Sequence, residues 1–212
     1  MRCGVSTRMP RYRTRSWRAF DPSAPRPTGT ALPGVRLVSG GRLRILGLDP
    51  GSRRTGFGLI ECRDSECVHV AHGCIVPRAT AASERLRLIF EGVAALILEH
   101  CPDEIAIERV FVSRNVDSAL KLGQARGAAL SAVPRGTSVF EYAPREIKLS
   151  VVGFGGAEKS QVAHMMRALL DVRERLAADA SDALAVAVCH AHSRRVHQLT
   201  AAGARGARTR GA

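Results

Sequence analysis

The chain has 212 residues, 45% of them hydrophobic and 24% charged, which suits one domain of ordinary size with a buried core and room for tails. No apolar run approaches the roughly 20 residues that span a bilayer, which excludes a membrane-spanning helix and predicts a soluble protein. The net charge of +13 points towards nucleic acid, but residues 1–44 hold ten Arg and one acid, residues 193–212 hold five Arg and no acid, and the body between them sums to −1.

Residues 1–41 are rich in Arg and Pro and lack a coherent apolar face, so a disordered basic extension is expected. Its composition fits an organellar transit peptide, an upstream start codon or an idle basic tail. The stretch Leu43-Arg44-Ile45-Leu46-Gly47-Leu48-Asp49-Pro50-Gly51-Ser52 is an apolar strand that ends on a carboxylate and turns at once. Taken alone, Asp49 can simply open that turn. Two further strand-like runs, Gly56 to Cys62 and Cys67 to Val76, follow through short turn-rich links and predict an antiparallel meander.

Ser83 can cap a helix whose apolar positions Leu86, Ile89, Phe90, Val93, Leu96 and Ile97 keep a 3.6 period and which stops at Cys101-Pro102. Ile105 to Val110 is a short strand carrying Glu108. Asp117 can cap a helix from Ser118 to about Val133, and Val139 to Tyr142 is a fifth strand. Pro144 suits the first turn of a helix reaching Val151. Helices over 157–170 and 179–192 precede an Ala/Gly/Arg tail, 193–212, expected to be disordered. Residues 42–192 then form one domain: three antiparallel strands and two βα units predict a mixed five-stranded sheet flanked by helices, the ribonuclease-H-like arrangement of the α/β class.

The body is not uniform in charge. Residues 109–167 carry nine basic groups against four acids, whereas 45–108 carry six against ten. One half can supply acidic ligands and the other a basic surface. The six cysteines form no C-x-x-C pair and no zinc spacing, so reduced thiols and a cytoplasmic setting are expected. His190 and His192 stand two apart on a helix, on different faces, which argues against a shared metal.

Four acids stand in settings a solvated surface does not explain. Asp49 and Glu108 close strands, while Asp179 and Asp182 lie i, i+3 at the start of the last helix and point to one side. The helical pair also fits a relative of the capping box. However, Ala183 to Cys189 is almost wholly apolar, so Asp182 meets the edge of a core where an unpaired carboxylate is costly. If the four converge, their repulsion must be offset by cations, and hard oxygen ligands select Mg²⁺, with Mn²⁺ as a substitute. Two such ions can activate water and stabilise the leaving oxygen of a phosphodiester displacement.

Leu46-Gly47-Leu48-Asp49-Pro50-Gly51-Ser52, Ala106-Ile107-Glu108-Arg109-Val110-Phe111, Lys121-Leu122-Gly123-Gln124-Ala125-Arg126-Gly127, Gly156-Ala157-Glu158-Lys159-Ser160-Gln161-Val162 and Asp179-Ala180-Ser181-Asp182-Ala183-Leu184-Ala185 together, and in this order, resemble the RuvC family of Holliday-junction resolvases over about residues 43–192. The resemblance implies a homodimeric, Mg²⁺-dependent endodeoxyribonuclease of DNA recombination and repair. Such an enzyme nicks opposed strands of a four-way junction symmetrically and works with a branch-migration complex of the RuvA and RuvB type. It implies that Asp49, Glu108, Asp179 and Asp182 hold two metal ions, that Phe111 stacks at the crossover and that Lys148 and Lys159 approach the scissile phosphate. Arg114, Lys121 and Arg126, in the basic half, are candidates for backbone phosphates. Gln124 with Gly123 and Gly127 resembles the family's dimer helix; packing within one subunit is the alternative.

The extension before residue 42 and the charged linker Asp171 to Leu176 depart from the family's pattern. Three rivals remain at this stage. An actin-type phosphotransferase needs a second lobe that about 150 residues do not provide. A non-catalytic DNA binder gains by losing acids. A related single-domain nuclease that shares the Asp-Pro-Gly strand has no need of the Lys121 to Gly127 run.

Overall fold

The computed structural model describes residues 41–63, 66–109 and 115–208, with side chains as far as Val196. Five strands form one sheet: β1 (Leu43–Asp49), β2 (Thr55–Arg63), β3 (Glu66–Ile75), β4 (Glu104–Glu108) and β5 (Ser138–Tyr142), in the spatial order β3-β2-β1-β4-β5. β1, β2 and β3 pair antiparallel, whereas β4 and β5 add in parallel through helical crossovers. The mixed sheet is the one expected from the order of elements, because short turns permit only antiparallel return and helices permit parallel addition.

Alternation along the strands sorts the core into two layers. Leu46, Leu48, Leu59, Ile105 and Ile107 face α1 (Ala82–His100) and α2 (Val116–Ser131). Leu43, Ile45, Ile60, Ala106 and Tyr142 face the other way, onto α3 (Pro144–Val152), α4 (Lys159–Leu169) and α5 (Ala178–Arg208). The same period of two puts Asp49 and Glu108, each at the carboxyl end of its strand, on the α5 face. From Ala183 to Cys189, α5 is fully buried, which is why its sequence shows no polar face there.

α5 lies unusually close to the sheet. A methyl group at Gly47 would overlap the Ala183 carbonyl, one at Gly58 would meet Leu184, and one at Gly56 would run into the Asp179 main chain. Missing side chains on β1 and β2 therefore set the depth of α5, and with it the height of its two aspartates.

Several local expectations need correction. Asn115, not Asp117, caps α2, accepting a hydrogen bond from the Ser118 N–H at 3.2 Å; Asp117 lies in the first turn instead. α1 starts at Ala82 without a side-chain cap, because its amphipathic stripe is sufficient to dock it. α5 continues to Arg208, past the end expected near 192: the Ala- and Arg-rich segment contains good helix formers, and a docked helix upstream removes the nucleation cost. Cys62 and Cys67, expected as reduced thiols, are joined in a disulfide. The antiparallel register places the two opposite each other on β2 and β3, a proximity that sequence spacing cannot reveal.

Candidate active site

The site forms where the carboxyl ends of β1 and β4 meet the first turn of α5. Leu48 pairs with Ile107, so Asp49 and Glu108 are the next residues out on adjacent parallel strands, and their carboxyl groups share a hydrogen bond. Asp182 enters from α5 and its charge acts on both. Asp179, one turn earlier, packs beside Gly56, the β2 residue paired with Asp49, with its Cβ 3.2 Å from where a Gly56 side chain would begin. Four acids from three elements thus lie round one end of the sheet, with Asp179 on the rim.

Three basic groups face the cluster. Lys159, in the first turn of α4, places its Nζ 2.7 Å from Asp182 Oδ2. α4 is anchored there by the Glu158 N–H, which donates to Gln161 Oε1 at 2.8 Å. Lys148 on α3 acts electrostatically on Glu108. Arg54, in the turn after β1, stands 4.0 Å from Asp179 Oδ2. Sequence reasoning passed over Arg54; the signal was present as a basic pair, Arg53-Arg54, one residue beyond the Asp-Pro-Gly turn.

The electrostatics show a pocket short of positive charge. Burial, then the charges of Glu108 and Asp182, push the Asp49 carboxyl from 3.8 up to about 7. Burial chiefly raises Glu108 as well, against the pull of Lys159 and Lys148. The hydrogen bond to Asp182 raises the Lys159 ammonium, as expected for a cation held by an acid. Among the described residues, no three acidic, His or Cys side chains are already drawn round one point. A shared proton and an ammonium hold the acids instead. The donor set is all oxygen, with no His or Cys, which fits a hard divalent cation of the Mg²⁺ type.

Of the basic residues expected to meet DNA, Lys159 contacts Asp182 and Lys148 acts on Glu108 through its charge. Lys121 lies on the exposed face of α2, paired with Asp117 at 2.6 Å. Arg126 is turned inward, with Nε 3.3 Å from the Glu108 carbonyl oxygen and Nη2 2.7 Å from Glu141 Oε1. Phe111 and Arg114 lie outside the described residues. His190 and His192 do diverge: His190 is buried against Tyr142 and Glu104, while His192 meets Ser150.

A five-stranded mixed sheet with acids at the carboxyl ends of its central strands and on a helix across one face defines a ribonuclease-H-like protein. The comparisons sharpen that class. Residues 45–190 match the family model described as crossover junction endodeoxyribonuclease RuvC. The RuvC of Hahella chejuensis is 53% identical over 152 residues, 71% of this chain and 88% of that protein. The RuvC of Pseudomonas putida is 49% identical over 170 residues, 78% of this chain and 98% of that protein. The structure of T. thermophilus RuvC in complex with Holliday junction substrate superposes with a TM-score of 0.68 at 29% identity, covering 73% of this chain and 96% of that one. The yeast mitochondrial Holliday junction resolvase Ydc2 shares the fold, with a TM-score of 0.53 at 13% identity over 71% of this chain and 79% of that one. The chain belongs to the RuvC family.

Proposed function

We propose that this protein is a structure-specific endodeoxyribonuclease that resolves four-way (Holliday) DNA junctions by paired, symmetric nicks, in recombination and repair. The observation that carries the reading is the convergence of Asp49, Glu108 and Asp182, with Asp49 pushed up to about 7 by burial and by its neighbours' charge. A buried pocket that also crowds three carboxyl groups is suited to receive cations. Family membership and the relative solved on a Holliday junction support the substrate.

Asp49, Glu108, Asp179 and Asp182 would hold the divalent ions, two per site and Mg²⁺ for preference. When bound, these supply activation of water and neutralisation of the phosphorane-like charge. The chain's own residues do the rest. As ligands, Asp49 would be ionised and would no longer share a hydrogen bond with Glu108. Lys159 would then be free of Asp182 and could turn its ammonium to a non-bridging oxygen of the scissile phosphate. Lys148, whose charge acts on Glu108, can do the same from α3. The three-residue spacing of Asp179 and Asp182 keeps both on the face of α5 that looks at the sheet, at a depth fixed by Gly47, Gly56 and Gly58.

Symmetric nicking needs two sites at a fixed separation. α2 offers the surface for a homodimer: Val116 and Leu120 are 67% and 62% exposed, and Gly123 and Gly127 have open space where a side chain would stand. Phe111 at the crossover, Arg114 and Lys121 on backbone phosphates, a branch-migration complex of the RuvA and RuvB type and a cytoplasmic location complete the reading.

The test is a synthetic four-way junction incubated with purified protein, with and without Mg²⁺. Paired nicks at symmetric positions, dependent on the ion, are expected. The Asp49→Asn variant should bind the junction with unchanged affinity and not nick it. Equal cutting of plain duplex would overturn the substrate assignment.

A further inference from the structure

Arg126 sits on the side of the sheet away from the acids, yet it grips the strand that carries one of them. Its neighbours Ala125 and Ala129 are buried where α2 packs on the sheet. The arginine side chain is 19% exposed, whereas Lys121, one turn earlier on the same helix, is 53% exposed. Nε donates to the Glu108 carbonyl oxygen at 3.3 Å. Nη2 stands 2.7 Å from Glu141 Oε1, off the N–H direction, so this second contact is an ion pair and not a directed hydrogen bond. Glu141 lies on β5, opposite Ile107. One guanidinium therefore ties the end of β4 to β5.

That end needs restraint. The ladder between β1 and β4 closes at Leu48 and Ile107, so Glu108 is one residue beyond its last partner on β1 and pairs only with Tyr142 on β5. Its carboxyl group faces Asp49 and Asp182. Like charges crowded at a strand end push it outward. The peptide that carries the Glu108 carbonyl is held on its N–H side, where Arg109 donates to the Tyr142 carbonyl oxygen at 2.8 Å, and the Arg126 bond adds a second hold at the carbonyl itself. Fixing the carbonyl on one face fixes the direction of the Cα–Cβ bond on the other.

We infer that Arg126 is a positioning residue: it acts through the Glu108 main chain to aim the Glu108 carboxylate into the metal pocket, and it is not a contact to DNA phosphate. The inference rests on the proposed nuclease reading for what the pocket does. Groups that orient metal ligands in this way typically account for roughly 10–100-fold in metal affinity or activity.

Substituting lysine separates the two roles. A lysine keeps the positive charge that a phosphate contact requires, but loses the planar fork that spans the Glu108 carbonyl and Glu141. For Arg126→Lys, the maximal nicking rate is expected to fall about tenfold or more, with junction affinity measured without metal staying within about twofold. Divalent binding to the DNA-free protein, measured by calorimetry with Mn²⁺, should weaken several-fold. Glu141→Gln, a substitution at an exposed partner that leaves Arg126 in place, should show the same pattern to a smaller degree and carries the test if Arg126→Lys does not fold.

Wild-type nicking and Mn²⁺ affinity in both variants would overturn the inference. So would a loss confined to junction affinity, which marks a phosphate contact. A wild-type protein that leaves four-way junctions intact would overturn the nuclease reading, while the calorimetric comparison would still decide the role of Arg126.

Discussion

Glu104 and Glu108 are the first and last residues of the same strand and point to the same face, but they live under opposite electrostatic rules. Burial alone would raise the Glu104 carboxyl, yet the hydrogen bond with His190 and the charge of Arg194 hold it below 4.5. His190 Nε2 is 2.7 Å from one carboxylate oxygen, Arg194 Nε is 3.0 Å from the same oxygen, and Tyr142 Oη closes the chain at 2.6 Å from His190 Nδ1. At the other end of the strand, Glu108 is raised above its ordinary value and faces two more acids. The protein supplies close cationic and imidazole partners at one end, and at the other only a hydrogen bond from a second acid and the more distant pull of Lys159 and Lys148. A carboxylate completed from within is structure; one left to be completed from solution is a binding site.

The largest contrast should come from the same isosteric change at each end. Glu108→Gln is expected to cut the junction-nicking rate by on the order of 10³-fold, since it removes a metal ligand and an anionic oxygen, and to leave metal-free stability equal or improved by relieving repulsion. Glu104→Gln should spare the nicking rate of folded protein while lowering stability by about 1–3 kcal/mol, because His190 and Arg194 lose a buried anionic partner. Single-turnover cleavage and chemical denaturation of both variants test the pair. Equal loss of rate in the two would erase the distinction between the ends.

Next in size is the response to pH without metal. Glu104 has a depressed carboxyl, so its contribution is present above about 4.5 and is lost as pH falls through its folded value. Asp49 is raised from 3.8 to about 7, so its contribution is complete below 3.8 and is lost as pH rises to about 7. Metal-free protein should therefore be most stable in weak acid and lose on the order of 1–3 kcal/mol towards neutrality. Asp49→Asn or added Mg²⁺ should flatten that neutral limb and leave the acid limb alone. Melting temperature against pH, in chelator and in Mg²⁺, reads both.

The smallest effect belongs to a pair outside both ends. Lys121 and Asp117 form an exposed i, i+4 bridge, so Lys121→Ala should change stability by no more than about 0.5 kcal/mol. Any loss it causes should appear as weaker, salt-dependent junction binding. A stability loss several times larger would show that α2 depends on this bridge for its place on the sheet.

Much of the site could be read along the chain. Asp49 and Glu108 stood out only as members of a set, because one strand that ends on a carboxylate can simply open a turn, whereas several acids in such settings point to a shared purpose. Asp179 and Asp182 did so because the helix behind them has no polar face. Lys159 was visible only through resemblance, since a lysine in a first turn has no signature of its own. Glu104 was invisible: in the sequence it is one more acid before a strand, and only the crossing of α5 brings His190 and Arg194 to it. The surroundings of Arg126 were hidden for the same reason. A basic residue in a basic half suggests phosphate, and nothing in the neighbouring residues shows that Glu141 and the Glu108 carbonyl wait on the strands beneath.

By itself, the order of residues determined the strand and helix periods, the five-stranded mixed sheet and the identity of the four acids, because these follow from local periodicity and from what short turns and helical crossovers permit. Tertiary structure alone decided the depth of α5 against Gly47, Gly56 and Gly58, the Cys62–Cys67 pairing, the closed network round Glu104 and the inward turn of Arg126. Each of these depends on which groups meet across the sheet, and charge and hydrogen bonding act through space without regard to distance along the chain.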